Sequence, residues 1–208
     1  MNIKKYTIED YIKVLSSNAS MPGGGSVSAI NGAQGISLIL MVCNLTLGKE
    51  KYKKYEKIVK KTISDCEKLK NKFLELANKD IEEFKNIEKV FKMPKTTEAE
   101  KKKRVKAMEI ACKKCCKVPV QIIECSKKGL SYIENVIGKS NKSAESDLAV
   151  AAVCLDATAK GAMLNILINL KSIKDKKIIS NMKKIEKNDI KNIEIKVKNI
   201  YKKVKENF

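Results

Sequence analysis

The sequence predicts an all-α, single-domain bundle of long helices, and three observations carry that expectation. Apolar residues recur at three- and four-residue steps along the whole chain, with no competing window of strict alternation. Nine glycines and three prolines in 208 residues leave few places to break a helix. Hydrophobic residues make up 43% of the chain, enough for one sizeable core, and no repeat or linker divides residues 1–208.

The first helix starts at Thr7, with Asp10 three residues on as a variant of the capping box. The loop Met21-Pro22-Gly23-Gly24-Gly25-Ser26 then opens a long helix to about Leu47. That helix is apolar nearly all round and belongs at the centre of the bundle. Its Ala29, Gly32, Ala33 and Gly35 let neighbouring backbones approach closely. A third helix runs from about Tyr52 to Phe91, and its apolar stripe is interrupted by Asp80, between Leu76 and Phe84. Pro94 ends it, and Thr97 with Glu100 forms a capping box for the fourth. The fourth helix keeps Met108, Ala111, Cys115, Val118, Ile122 and Cys125 on one face, so Pro119 should kink it rather than end it. A polar loop, Gly138 to Ser146, precedes a fifth helix from about Asp147 to Leu170, whose inner stripe ends on Asn165 and Asn169. From Asp175 to Phe208 the chain is lysine-rich yet keeps Ile179, Met182, Ile185, Ile193, Val197, Ile200 and Val204 in register. The tail therefore reads as an ordered amphipathic helix or helix pair.

Composition narrows the function. Lysine and arginine outnumber acids 44 to 24, a net charge of +20. Such a charge suits nucleic acid, but Arg104 is the only arginine, aromatics are 5% and tryptophan is absent. A solvated lysine coat explains the pattern better, and a positive field would also concentrate a small polyanionic substrate. The rival from another class is a non-catalytic basic helical protein that binds nucleic acid or a partner helix, with steep salt dependence. That reading gives no reason for Asp80, Asn165 and Asn169 to interrupt apolar stripes.

Histidine is absent, so proton chemistry must use Asp, Glu, Lys, Tyr, Cys or water. The cluster Cys112-x-x-Cys115-Cys116, with Cys125 beyond, lacks a second well-spaced pair, so no metal site is expected. Cys43, Cys66, Cys112, Cys115 and Cys154 read as small core residues. Seven thiols and a start, MNIKKYTIED, without an apolar run point to a reducing cytosol. The apolar run Ile36 to Cys43 is too short to span a bilayer, so no membrane partner is expected.

Asp80 is the sharpest candidate for chemistry, because a carboxylate on an apolar seam is costly to desolvate unless it is paired or functional. The Gly23-Gly24-Gly25-Ser26 loop could hold an anion or a carbonyl oxygen on its free N–H groups, or be only a flexible entry capped by Ser26. Ser146-Asp147 repeats that arrangement at the next apolar helix start, with an N-cap and a first-turn charge as the plainer alternative. Asn165 and Asn169 suit either an inter-helix hydrogen bond or the amide-like edge of a heterocycle.

These residues carry a resemblance. Pro22-Gly23-Gly24-Gly25-Ser26, Asn44-Leu45-Thr46-Leu47-Gly48-Lys49 with Tyr52, Asp80 with Phe84, and Met93-Pro94-Lys95 follow one another in order. Ser146-Asp147 with Ala149 and Ala151, then Asn165-Ile166-Leu167-Ile168-Asn169-Leu170 with Asp175, continue the series. Taken together, from roughly residue 5 to 200, the chain resembles the formiminotetrahydrofolate cyclodeaminase and methenyltetrahydrofolate cyclohydrolase family. Met93 stands where Leu is usual, and NKSAE replaces an Asn-rich form before Ser146.

The resemblance implies an all-helical homodimer that binds a tetrahydrofolate derivative between helices and subunits, with no cofactor beyond that substrate. It implies one of two reactions. A cyclohydrolase opens 5,10-methenyltetrahydrofolate with water to 10-formyltetrahydrofolate, whereas a cyclodeaminase closes a 5-formimino group onto N10 and expels ammonia. No formiminotransferase domain is fused to this sequence, which favours the first. Asp80, Asp147 and Lys49 are the expected catalytic residues, with Lys49 or Lys95 lowering the pKa of Asp80 and Asp147 competing for the proton shuttle. Gly23, Gly24, Gly25, Ser26, Lys95, Ser146, Asn165 and Asn169 are the expected substrate contacts. A polyglutamate tail on the folate would suit the positive charge.

Overall fold

The computed structural model describes residues 2–206, which form one helical bundle with no strand among them. Eight α-helices follow in order: α1 (Ile8–Leu15), α2 (Gly24–Asn44), α3 (Glu56–Phe91), α4 (Glu98–Cys115), α5 (Lys117–Val136), α6 (Glu145–Leu170), α7 (Lys176–Lys184) and α8 (Lys191–Lys205). A 3₁₀ turn, Glu50–Tyr55, leads into α3, and a π-helical segment, Ile185–Ile190, joins α7 to α8.

Local signals set most boundaries as expected. The Thr7 hydroxyl accepts the Asp10 N–H at 3.0 Å, and Thr97 with Glu100 forms a complete capping box. Around Pro119 the helical hydrogen-bond pattern lapses one turn earlier, at Cys116, which keeps helical dihedrals of φ −68° and ψ −20°. The rod is therefore interrupted into α4 and α5 without a loop, as expected where a proline lacks its N–H. One boundary differs. Helix α2 begins at Gly24 with Gly23 as its uncapped entry, so Ser26 lies inside the first turn and is not the cap.

Helix α2 occupies the centre, packed on α3, α5 and α6. Its glycines make this possible. A Cβ on Gly32 would stand 2.5 Å from the buried Phe73 ring, and one on Gly35 would stand 3.1 Å from the Ala151 carbonyl of α6. Helices α2 and α6 run antiparallel: Gly24 faces Asn165, Ser28 faces Gly161, and Asn31 donates to the Cys154 carbonyl at 3.0 Å. Both α2 and the stretch 142–170 are long and apolar enough to cross a membrane, yet much of each apolar surface is buried inside this bundle. In the tail, Ile193, Val197, Ile200 and Val204 are buried, and Lys127–Asp189 and Lys196–Glu134 pairs tie it to α5. The sequence expectation of an ordered amphipathic tail holds through residue 206.

Candidate functional site

A cavity of about 470 Å³ opens where the start of α2, the C-terminal half of α3, α4 and the end of α6 meet. Such a volume lies in the range of small-molecule sites. Gly23, Gly24, Gly25, Asp80, Asn165 and Asn169 all line it, so the fold assembles from three distant stretches six of the residues singled out in the sequence. Phe84, Ile87, Phe91, Met108, Cys112 and Cys115 supply an apolar wall, with Glu83 and Lys171 as charged members.

Asp80 sits at the polar end. Burial pushes its carboxyl up to about 6, and the Ser26 backbone N–H, which favours the charged form, pulls against that rise. Gly25 lies directly against the carboxyl, with no room for a side chain: a Cβ there would come within 2.6 Å of Oδ2. The expected lysine partner is not what restrains this pKa, since among the described residues no ion pair reaches Asp80. The lowering influence is the N-terminus of α2. The anion that this terminus holds is the protein's own carboxylate.

Asn165 donates its side-chain N–H to the Gly161 carbonyl at 2.8 Å, and Asn169 donates to the Asn165 carbonyl at 2.7 Å. Both amides are thus anchored on their own helix through nitrogen, and each oxygen is left to serve as an acceptor along the cavity wall. A heterocycle with amine and ring N–H donors suits such a pair of acceptors.

Other expected members lie elsewhere. Helix α2 has 21 residues and so spans about 30 Å, which separates Lys49, beyond its C-terminus, from the Gly23–Gly25 end. Ser146 and Asp147 begin α6, whose far end carries Asn165 and Asn169, again roughly 28 Å away. Lys49 and Ser146 do not share a cavity: Ser146 lines an apolar groove with Val150, Val153, Tyr201 and Val204, whereas Lys49 lies among loop contacts. The Thr46 hydroxyl accepts the Asn141 N–H at 2.8 Å, and the Tyr52 hydroxyl accepts the Lys142 N–H at 3.0 Å. A shallow cavity of about 190 Å³ there is lined by Thr46, Gly48, Lys49 and Tyr52. Lys95 is exposed in the turn between α3 and α4 and does not line the main cavity. Ser26 is fully buried beneath that cavity, so only its N–H contributes, through Asp80.

Cys112 and Cys115 are buried in the core as expected, with Phe84 and Met108 packed against it, and all four also form cavity wall. A stripe of buried-type residues marks a covered face but not whether protein or ligand covers it. Lys171 was missed altogether; its place one residue after α6, two beyond Asn169, was the available signal. The thiols are poor nucleophiles, because burial pushes Cys115 up to about 12 and raises Cys112 as well. No group of three or more His, Cys, Asp or Glu side chains suited to a metal occurs among the described residues.

Comparisons with known proteins fit this geometry. The family described as Formiminotransferase-cyclodeaminase matches residues 7–188. A methenyltetrahydrofolate cyclohydrolase of Methylorubrum extorquens is 34% identical over 170 residues, covering 82% of each chain. A formimidoyltransferase-cyclodeaminase of Gallus gallus is 29% identical over 167 residues; the match takes 80% of this chain but only 31% of that longer one. The crystal structure of a formiminotetrahydrofolate cyclodeaminase from Thermotoga maritima superposes with a TM-score of 0.82 at 27% identity, covering 99% of this chain and 96% of that one.

Proposed function

Since this chain belongs to the formiminotransferase-cyclodeaminase family, we propose that it is a tetrahydrofolate one-carbon enzyme, a methenyltetrahydrofolate cyclohydrolase. The observation that carries the reading is the buried Asp80, its pKa raised to about 6, at the polar end of an apolar slot, in a chain similar along most of its length to a cyclohydrolase. A carboxyl with a pKa near the working pH is the group that general catalysis needs.

The flat pterin portion lies in the slot of Phe84, Ile87, Phe91 and Met108, with the Asn165 and Asn169 oxygens accepting from its N–H groups. Water attacks the methenyl carbon between N5 and N10, and ionised Asp80 takes one water proton as the C–O bond forms. The carbon becomes tetrahedral and the cationic charge of the amidinium is lost. Breaking the C–N5 bond regenerates a carbonyl as the remaining hydroxyl proton passes to N5, leaving the formyl group on N10. One proton is released overall. Asp80 is restored when it passes its proton to solvent.

Loss of methenyltetrahydrofolate absorbance with purified protein, followed in both directions, tests the assignment; formiminotetrahydrofolate is supplied separately with ammonia as the readout. Turnover of the second substrate alone would replace the cyclohydrolase reading with the cyclodeaminase one, which the Thermotoga maritima structure favours. Turnover of neither would remove both.

We read the active unit as a two-fold dimer. Val27, Asn31, Gln34, Leu38, Met41 and Leu45 share one face of α2, and Ser146, Val150, Val153, Leu164 and Ile168 share one face of α6. Seven of these apolar residues, Val27, Met41, Leu45, Val150, Val153, Leu164 and Ile168, are exposed. A second copy packed end-for-end on this platform would bring its Lys49 end beside the Asp80 cavity. At substrate well below KM, subunit exchange between Asp80→Asn and Lys49→Ala proteins should then restore about a quarter of wild-type kcat/KM, because each heterodimer has one intact composite site. No recovery in proven heterodimers would place the Lys49 end outside the site. The seven free thiols, six of them buried, suit action in the cytosol.

A further inference from the structure

The first turn of α2 has free N–H groups aimed at the end of the cavity, an arrangement that invites a substrate anion. The structure fills that place from within. Gly25 is buried and its Cα lies flat against the Asp80 carboxyl, while the next residue, Ser26, turns its N–H onto the same group. Gly24, one residue earlier, behaves differently: a Cβ there would meet only the Asn165 amide, at 3.4 Å, an ordinary contact. The three glycines are therefore not equivalent.

We propose that Gly25 and the Ser26 N–H are positioning residues that hold the Asp80 carboxyl at the cavity wall, rather than ligands of the substrate. The proposal deepens the folate reading and rests on it for the kinetic tests below. Gly25 is small so that the helix terminus can descend onto the carboxyl; any side chain would drive the two apart. The N–H then fixes the carboxyl's direction and offsets part of the rise that burial imposes. Other groups around it are Glu83 on the same helix, Cys112 and Cys115 from α4, and Lys171 past α6, and none replaces that N–H.

Two variants separate the parts. Ser26→Pro falls in the first turn of α2, where a missing N–H breaks no intrahelical bond, so it removes the donor to Asp80 and sets a ring carbon in its place. The limb of the kcat profile near pH 6 should move to higher pH by about half a unit or more. Ser26→Ala keeps the N–H and should keep that limb in place, whatever it does to kcat. Gly25→Ala should lower kcat by roughly 10-fold or more with KM little changed, the scale of a misplaced catalytic group. Gly24→Ala, by contrast, should act mainly on KM. In an Asp80→Asn background the cost of Gly25→Ala should largely vanish, since the group it displaces is gone.

An unmoved limb in a folded Ser26→Pro protein, or full additivity of Gly25→Ala with Asp80→Asn, would overturn the proposal. If Ser26→Pro does not fold, the Gly25 and Asp80 double-mutant cycle still decides it. A readout without folate keeps the two readings distinct: thermal stability followed from pH 4 to pH 8 reports Asp80 directly. A steeper loss with rising pH in Ser26→Pro would uphold the cradle even in a protein that turns over no folate; an unchanged loss would count against it.

Discussion

The two ends of the antiparallel α2–α6 pair carry similar kinds of residue in opposite settings. At one end Gly25, Asp80 and Asn165 lie within a deep cavity, held by the α2 terminus and by bonds along α6. At the other, Lys49 and Ser146 are exposed, and the polar contacts of Thr46 and Tyr52 tie one loop to another. Both ends have a helix start or finish, small residues and hydroxyls. What differs is the setting of the candidate side chains: desolvation perturbs Asp80 at the first end, whereas Lys49 and Ser146 stand in water at the second, over buried Thr46, Asn141 and Glu145. Chemistry belongs where burial has already tuned a group, and the exposed end acquires a role only when something covers it.

The contrast can be broken most directly at Asp80. Asp80→Asn should leave the bundle folded and cut kcat by roughly 100-fold or more, the scale of a lost proton shuttle. Near-normal turnover in a folded variant would make the carboxyl structural and erase the difference between the ends. The same variant has a stability signature. The carboxyl's pKa is raised from 3.8 to about 6 in the folded chain, so the folded state binds more protons across that interval, and stability from this group falls as pH rises from about 4 to 6. Asp80→Asn removes that loss. Its melting temperature relative to wild type should thus rise between pH 4 and pH 8, by an amount worth up to about 3 kcal/mol.

At the exposed end the expected effects are smaller. Lys49→Ala should cost about 10-fold, mostly in KM, the size of one charge-assisted contact to an anionic substrate. Asp147→Asn should likewise weaken binding more than turnover, by a few-fold. Initial rates over a range of folate concentrations separate the two constants, and a kcat loss matching that of Asp80→Asn would move the proton shuttle to this end. Smallest of all, Lys95→Ala should change kcat/KM by less than about twofold, because the side chain is exposed and off the cavity. A larger loss would mean that the turn between α3 and α4 reaches the substrate.

Much of this was legible in the sequence because helical periodicity is strong here. The seam of α3 showed Asp80 as an intruder, and the α6 stripe showed Asn165 and Asn169 the same way; all three line one cavity. Residues whose role depends on a partner element were not legible. Ser26 reads as a cap from its position after glycines, yet its part is played by its N–H toward a helix some 50 residues on. Lys49 or Lys95 was expected to moderate Asp80, but both are exposed and neither lines its cavity. Cys112 and Cys115 look the same in sequence whether they face protein or ligand.

The close seating of α2 on α6 also sets the gauge of the molecule. With Gly35 against the Ala151 backbone and Gly161 against Ser28, neither helix can slide past the other, so the interval between the two ends is held like the span of a calliper. One residue added within either helix would advance everything beyond it by about 1.5 Å and turn it by about 100°. Such a change would swing either Asp80's holder or the Lys49 group out of line. Tolerated changes of length should therefore gather in the loops, 16–23, 92–97 and 137–144, and leave the two central rods untouched.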